Sequence, residues 1–274
     1  MSRTRLRYGD HPSHWVDLTV PDRPTDRPLP VIIFLHGGYW RDLHAADQVE
    51  PLIADLADRE LALVNVEYRR TGDDPQHGDG GWPATFNDVA AAIDLLGRFR
   101  PGGHRDRPAA DLDGVVLALD RVVAVGHSAG AHLAAWAAAR PGLPTGAPGA
   151  GPRVRLSGYV SLAGVLDLIT GAEQRLDDGA VQALLGGEPA DRPEVYPIAS
   201  PLSRVPIGVP GVCLHGTADD RVPIDQSVRF VEAAVAAGDR CRLVTLPGVD
   251  HFSYLDPTSA AWSAAKSAAL ELIG

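Results

Sequence analysis

Lysine is nearly missing from this chain: Lys266 is the single lysine among 25 basic residues in a length of 274. No mechanism follows from that bias. Cysteine is scarce too, with only Cys213 and Cys241, and both lie inside apolar runs that read as strands. Reduced core thiols are therefore expected rather than a disulfide scaffold, since nothing else points to an oxidising compartment. There is no run of 18 or more apolar residues, which excludes a membrane-spanning helix. Basic residues are outnumbered, 25 against 35 acidic ones, for a formal net charge of −10. Such a balance argues against binding nucleic acid, which calls for a basic patch to displace counterions from phosphates. The basic stretch 1–8 runs into Gly9-Asp10-His11-Pro12 and not into an apolar segment, so no secretory signal is expected and the location is read as cytoplasmic. Also missing are His-Glu-x-x-His, paired Cys-x-x-Cys, a Walker A loop and Gly-x-Gly-x-x-Gly. No metal, nucleotide or redox cofactor is expected.

What is present is a chain 45% apolar with 29 glycines and 23 prolines, rich in loops but short of the composition of a disordered protein. Short apolar runs at 31–36, 61–68, 121–126, 156–163, 209–215 and 240–246 alternate with helical patterns at 48–58, 84–98, 129–139, 225–237 and 258–272. That alternation predicts an α/β fold, with a mostly parallel sheet covered by helices on both faces. Residues 15–20 alternate apolar and polar side chains and read as an antiparallel strand at the sheet edge. The stretches 101–120 and 140–153 are rich in Gly, Pro and Ala without periodicity and read as surface loops. The longer stretch 164–206 carries a weak helical pattern around 180–185 and is expected to form a cap over the carboxyl edge of the sheet. With no internal repeat and no linker, residues 1–274 read as one domain.

The strongest chemical signal is Gly126-His127-Ser128-Ala129-Gly130, set between an apolar strand and a helical run. In that setting Gly-x-Ser-x-Gly is a nucleophile elbow, a tight turn that exposes Ser128 above the sheet at the amino end of the next helix. A hydroxyl is a poor nucleophile at neutral pH, so it requires a base and a group to orient that base. His251, in the loop after the last strand, is the candidate base. Asp219, after the strand ending in His215, is the candidate acid, with Asp167, Asp220 and Asp250 as competitors. His127 is expected to point elsewhere and is not required as a base. Asp88 reads as part of a polar helix face. A developing oxyanion needs fixed N–H donors, and the backbone of Gly38 and Tyr39 in the loop His36-Gly37-Gly38-Tyr39-Trp40, with that of Ala129, can supply them. Trp40, Trp82 and Phe252, with Tyr39, are candidates for an aromatic substrate wall.

In chain order these residues run Ser, Asp, His, and the chain resembles the α/β-hydrolase superfamily over nearly its whole length. His36-Gly37-Gly38-Tyr39-Trp40 is similar to the His-Gly-Gly-x-Trp motif of kynurenine formamidases, or arylformamidases. The segments 126–134 and Asp250-His251-Phe252 also resemble those enzymes. Tyr68-Arg69 is similar to a pair found in them and in hormone-sensitive-lipase-like esterases, while His215-Gly216-Thr217-Ala218-Asp219 with Val222-Pro223 resembles the acid loop of many hydrolases. The resemblance implies a serine hydrolase acting through an acyl-enzyme on a small molecule, with an N-formyl arylamine of the N-formylkynurenine type as the expected substrate. A carboxylesterase taking acetyl, short-chain or feruloyl esters is the alternative. A hydrolase fold used only as a binding protein or receptor is the rival from another class, and it has no chemical need for Ser128, Asp219 and His251 together. Oligomeric state is left open.

Overall fold

The computed structural model describes residues 1–22, 27–99, 112 and 114–274. Eight strands form one sheet: β1 (Ser2–Arg7), β2 (Trp15–Val20), β3 (Leu29–Leu35), β4 (Ala62–Val66), β5 (Leu117–His127), β6 (Gly158–Leu162), β7 (Gly211–Gly216) and β8 (Cys241–Leu246), in the order β1-β2-β4-β3-β5-β6-β7-β8. The pairs β1–β2 and β2–β4 are antiparallel and the others are parallel.

The central strands read clearly because both of their faces are buried. Along β3, Val31, Ile33 and Leu35 point into one core with Phe86, Val89, Leu133 and Trp136, whereas Ile32 and Phe34 point into the other with Leu52, Trp262 and Ala265. Helices α2 (Ala84–Leu95) and α3 (Ala129–Ala139) thus cover one face, and α1 (Glu50–Asp55) and α8 (Ala260–Ile273) cover the other. On the α2 and α3 side lie α4 (Leu168–Glu173), α5 (Leu176–Leu185), α6 (Tyr196–Ala199) and α7 (Asp225–Ala236). Among the described residues no helix is long and apolar enough to cross a membrane. Cys213 and Cys241 are free and buried.

Two expectations need correction. β2 is antiparallel as read, but it is not the edge, because β1 pairs outside it. Alternation in β1 is carried by arginines: Arg3 and Arg5 both bond the buried Asp17 carboxylate of β2, with Arg5 Nε donating to Oδ1 at 2.8 Å. The stretch 140–153 is a largely exposed loop as read, held at its start where buried Arg140 donates to the Gly149 carbonyl (2.8 Å) and pairs with Asp94 (2.8 Å). Asp88 is buried on α2, where Arg69 grips both its oxygens at 2.8 Å and His14 lies at 3.0 Å. Most of the loop expected at 101–120 lies outside the described residues; its last part is the start of β5.

Because β3, β5, β7 and β8 run parallel, the loops that follow them emerge at one edge of the sheet. This places the segments after Leu35, His127, Gly216 and Leu246 at the carboxyl edge, where open α/β sheets hold ligands.

Candidate active site

Ser128 joins β5 to α3 with φ 55° and ψ −117°, a left-handed backbone that a non-glycine residue holds only when its surroundings impose it. The imposition is visible in the flanking glycines. A Cβ on Gly126 would sit 2.1 Å from the Gly130 carbonyl oxygen, and one on Gly130 would sit 2.0 Å from that of Leu35. The Ser128 N–H donates to the Leu162 carbonyl of β6 at 2.8 Å, which fixes the turn to the sheet. Ser128 is only 2% exposed and so lies beneath the surrounding loops instead of standing free in solvent.

The structure brings His251 and Asp219 together. His251 Nδ1–H donates to Asp219 Oδ2 at 2.7 Å, which leaves Nε2 as the ring nitrogen able to accept a proton. Asp219 Oδ1 accepts the N–H groups of Arg221 and Val222, each at 2.9 Å, and His215 Nε2 lies 3.3 Å from Oδ2. Burial works to raise the Asp219 pKa, but the hydrogen bonds from His215, His251 and the Val222 N–H outweigh it and hold the carboxyl well below the usual carboxylate range. The competing carboxylates have other partners. Asp167 caps α4 through the Thr170 N–H, Asp220 pairs with Arg221 at the surface, and Asp250 accepts from Phe252 N–H and Ser253.

The loop after β3 is held from below. His36 Nδ1–H donates to the Gly37 carbonyl (2.9 Å), the Tyr68 hydroxyl donates to the His36 carbonyl (2.7 Å), and the two rings stack 4.3 Å apart. Under His36 lies a fully buried ion pair of Glu67 and Arg70, with Glu67 also accepting the N–H groups of Ala46 and Tyr68. Burial alone would raise the Glu67 pKa; His36, Arg70 and the Ala46 N–H bring it down to about 2. Gly37 N–H is taken by Gln48, and the Gly38 and Trp40 carbonyls accept from the N–H groups of Arg41 and Thr71. Among the described residues, none accepts from the N–H of Gly38 or Tyr39. Those two, with the Ala129 N–H at the start of α3, are the donors expected from sequence for an oxyanion. Glu67 and Arg70 were missed in sequence. Their only signal was the dense charge of Glu67-Tyr68-Arg69-Arg70 at the end of β4.

The aromatic candidates divide. Phe252 is 54% exposed, stands edge-on to the His251 ring at 5.2 Å and has the Arg221 guanidinium 5.9 Å from its centroid. Tyr39 is half-buried and donates its hydroxyl to the Arg221 carbonyl (2.6 Å); burial, with Asp177 and Asp219 nearby, pushes its phenol pKa up and keeps it protonated. Trp40, expected in the wall, is wholly buried edge-on to His132 at 5.1 Å, so in this conformation its ring offers no surface to a substrate. Trp82 packs on Phe86 (4.9 Å), and its backbone N–H donates to the Leu184 carbonyl of α5. His127 also departs from expectation: its ring lies 4.7 Å from that of His251, not turned away.

A family model described as BD-FAE matches residues 16–234. The chain belongs to the BD-FAE family. The match runs from β2 to within α7 and takes in the loop after β3, Ser128 and Asp219, while His251 lies beyond it. Esterase LipC of Mycobacterium tuberculosis is 30% identical over 264 residues, covering 93% of this chain and 60% of the relative. A probable isoprenylcysteine alpha-carbonyl methylesterase of Arabidopsis thaliana, ICMEL1, is 25% identical, covering 91% and 50%. The chain thus spans between half and three fifths of the length of these relatives. Among solved structures, a truncated carbohydrate esterase from gut microbiota superposes with a TM-score of 0.79 at 20% identity, covering 100% of this chain and 96% of that one. The propionate-bound esterase Est2 of Thermogutta terrifontis gives 0.74 at 24% identity, covering 99% and 93%. The fold of this BD-FAE chain is accordingly the α/β-hydrolase fold, as its motifs imply.

Proposed function

We propose that the protein is a serine carboxylesterase that cleaves small esters through an acyl-enzyme. The observation that carries this reading is the His251–Asp219 pair at 2.7 Å beside an elbow that strains Ser128 into a left-handed turn. In the proposed cycle, His251 Nε2 takes the Ser128 proton as Oγ attacks the ester carbonyl, and Asp219 steadies the imidazolium. The N–H groups of Gly38, Tyr39 and Ala129 hold the tetrahedral oxyanion. Collapse expels the alcohol, protonated by His251, and leaves the acyl group on Ser128. Water, deprotonated by the same nitrogen, then attacks the acyl carbonyl and releases the acid with Ser128 restored.

The relatives support ester over amide chemistry. Their names are those of esterases, so they favour the carboxylesterase alternative over the arylformamidase reading drawn from His36-Gly37-Gly38-Tyr39-Trp40. A short acyl group suits the site, because Tyr39 puts bulk directly after the glycines, and the neighbouring Est2 holds propionate. Phe252 is proposed to meet the leaving alcohol, supported by its exposure beside His251, from which that group takes its proton. Residues 164–206 are read as a cap within a single domain, tied to the loop after β3 by the Arg41–Asp177 pair (2.7 Å).

The test is a series of formyl, acetyl, butyryl and octanoyl derivatives of one aryl alcohol, set beside N-formylkynurenine. The expected result is the highest kcat/KM between acetyl and butyryl, with octanoyl about tenfold lower or worse, as when a pocket lacks room for added methylenes. Preference for N-formylkynurenine with a steady fall from formyl onward would restore the formamidase reading. Absence of turnover, together with no labelling of Ser128 by a fluorophosphonate, would point to the binding-protein class.

A further inference from the structure

His127 precedes the elbow serine and is fully buried, and the catalytic cycle above gives it no part. Its ring nitrogens are unequally used. Nε2–H donates to the backbone carbonyl of His251 at 2.8 Å, while Nδ1 has no hydrogen-bond partner among the described residues. Three side chains of the base-bearing segment pack near the ring, with centroids 4.7 Å from His251, 6.4 Å from Phe252 and 6.3 Å from Tyr254. Gly37 also stands close to the ring. A Cβ there would fall 2.9 Å from His127 Nδ1, 3.0 Å from the His127 carbonyl oxygen and 3.2 Å from the Ser128 Cβ. One imidazole therefore touches the elbow, the base loop and the loop that presents the Gly38 and Tyr39 N–H groups.

We propose that His127 is a positioning residue for His251, its Nε2–H holding the His251 main chain at a fixed distance from Ser128. The inference rests on the esterase reading for its catalytic consequence, but the mechanical tie stands on the contacts alone. Asp219 orients the His251 ring only through Nδ1, and the main chain is held on either side of the base, at Val249, whose carbonyl accepts the Ala218 N–H (3.0 Å), and at Ser253, whose carbonyl accepts the Ser259 hydroxyl (2.6 Å). The carbonyl bond from His127 fixes the stretch between them, because it anchors the backbone of the base to the residue next to the nucleophile. An imidazole suits the task. Burial, and then the neighbouring His251, push the His127 pKa down to about 3, so the ring stays neutral and adds no charge beside the imidazolium that forms on His251. A carboxylate in its place would carry charge and offer no donor.

The experiment compares His127→Gln, His127→Asn and His127→Phe in the full chain. Gln carries an amide N–H where Nε2 stands and can reach the His251 carbonyl. Asn carries the same amide one bond short, and Phe keeps the ring but has no donor. With p-nitrophenyl acetate and active sites counted by fluorophosphonate, kcat is expected to fall about 10- to 100-fold in the Asn and Phe variants with KM within about twofold, and to return to within about threefold of wild type in the Gln variant. Amide hydrogen exchange, which needs no turnover, is expected to quicken across 249–253 in the Asn and Phe variants and not in the Gln variant. Equal losses in Gln and Asn, or wild-type kcat in Asn, would overturn the proposal; the comparison of Gln with Asn decides even if Phe does not fold. Failure of the esterase reading shows separately, as a wild-type chain without turnover, and the exchange measurement then still tests the tie.

Discussion

Asp219 commits Oδ1 to two backbone N–H groups and Oδ2 to two histidines, so it cannot rotate without breaking several bonds at once. An amide at this position keeps the size but presents one oxygen where two are used, and its NH₂ would face either an N–H donor or a histidine in the wrong tautomer. Asp219→Asn is expected to lower kcat by about four orders of magnitude with KM little changed. Asp220→Asn and Asp250→Asn, at surface carboxylates, should leave kcat within about twofold, since substitutions away from buried networks have small effects. Asp167→Asn should leave kcat alone and cost at most about 1 kcal/mol of stability, because the cap it supplies to α4 is one an asparagine can keep in part. A larger kcat loss in Asp167→Asn than in Asp219→Asn, read from initial rates, would move the acid to the end of β6. At the nucleophile, Ser128→Ala is expected to reduce turnover by about four to six orders of magnitude while the thermal midpoint is kept, because the hydroxyl has chemical and not packing work to do. Undiminished rates in that variant would refute the mechanism.

Among the elements, the loop after β3 depends on the end of β4. The buried Glu67–Arg70 pair supports His36, and His36 in turn holds the Gly37 carbonyl. A peptide plane carries its carbonyl and the following N–H on opposite sides, so holding the Gly37 oxygen fixes the direction of the Gly38 N–H. Glu67→Gln leaves Arg70 buried without its counter-charge, which typically costs about 3 to 5 kcal/mol. The expected outcome is a lower denaturation midpoint together with about a tenfold loss of kcat, checked on protein that is still folded at low temperature; an unaltered kcat per folded site would separate this cluster from the donor loop. How far such elements could be read in advance depends on how their burial is written in the sequence. Strands β3 to β7 were legible because burial on both faces leaves runs such as Val31-Ile32-Ile33-Phe34-Leu35, and β8 at the edge, only partly buried, because it still carries Leu243, Val244 and Leu246. β1 was not, because Arg3, Arg5 and Arg7 fill one side of it and only Leu6 is buried. Ser128, Asp219 and His251 were legible because their spacing follows strand ends. The Glu67–Arg70 pair and the direction of the His127 ring were not, since both depend on contacts between loops far apart in the chain.

For the molecule as a whole, two histidines buried without charge set the response to acid. Burial holds the pKa of His127 at about 3 and that of His132 at about 4, against an ordinary value of 6.5. His132 sits between Trp40 and Phe86, donating Nε2–H to the Ala199 carbonyl (3.0 Å), and His127 is enclosed by the base loop. As pH falls below 6.5, the unfolded chain takes up a proton at each site and the folded chain does not. Stability is thus fully present above 6.5 and is lost as pH falls toward 4 and then 3, by about 1.4 kcal/mol per pH unit for each histidine. Glu67 and Asp219 act with the same sign at lower pH: their folded pKa values are depressed, so their contribution holds above about 4.5 and 3.8 and disappears as acid protonates them. Denaturant midpoints measured from pH 7.5 to 4 should therefore slope downward from about pH 6.5 and steepen below about 4.5. His132→Gln, which keeps an amide N–H for the Ala199 carbonyl but cannot titrate, should reduce the upper slope by up to about half, the rest coming from His127 and from His11 and His14, whose pKa values burial also lowers. A flat plateau from pH 7 to 5 in the wild-type chain would sink this account, because two neutral buried imidazoles cannot coexist with proton-independent stability across the range where the unfolded chain charges them.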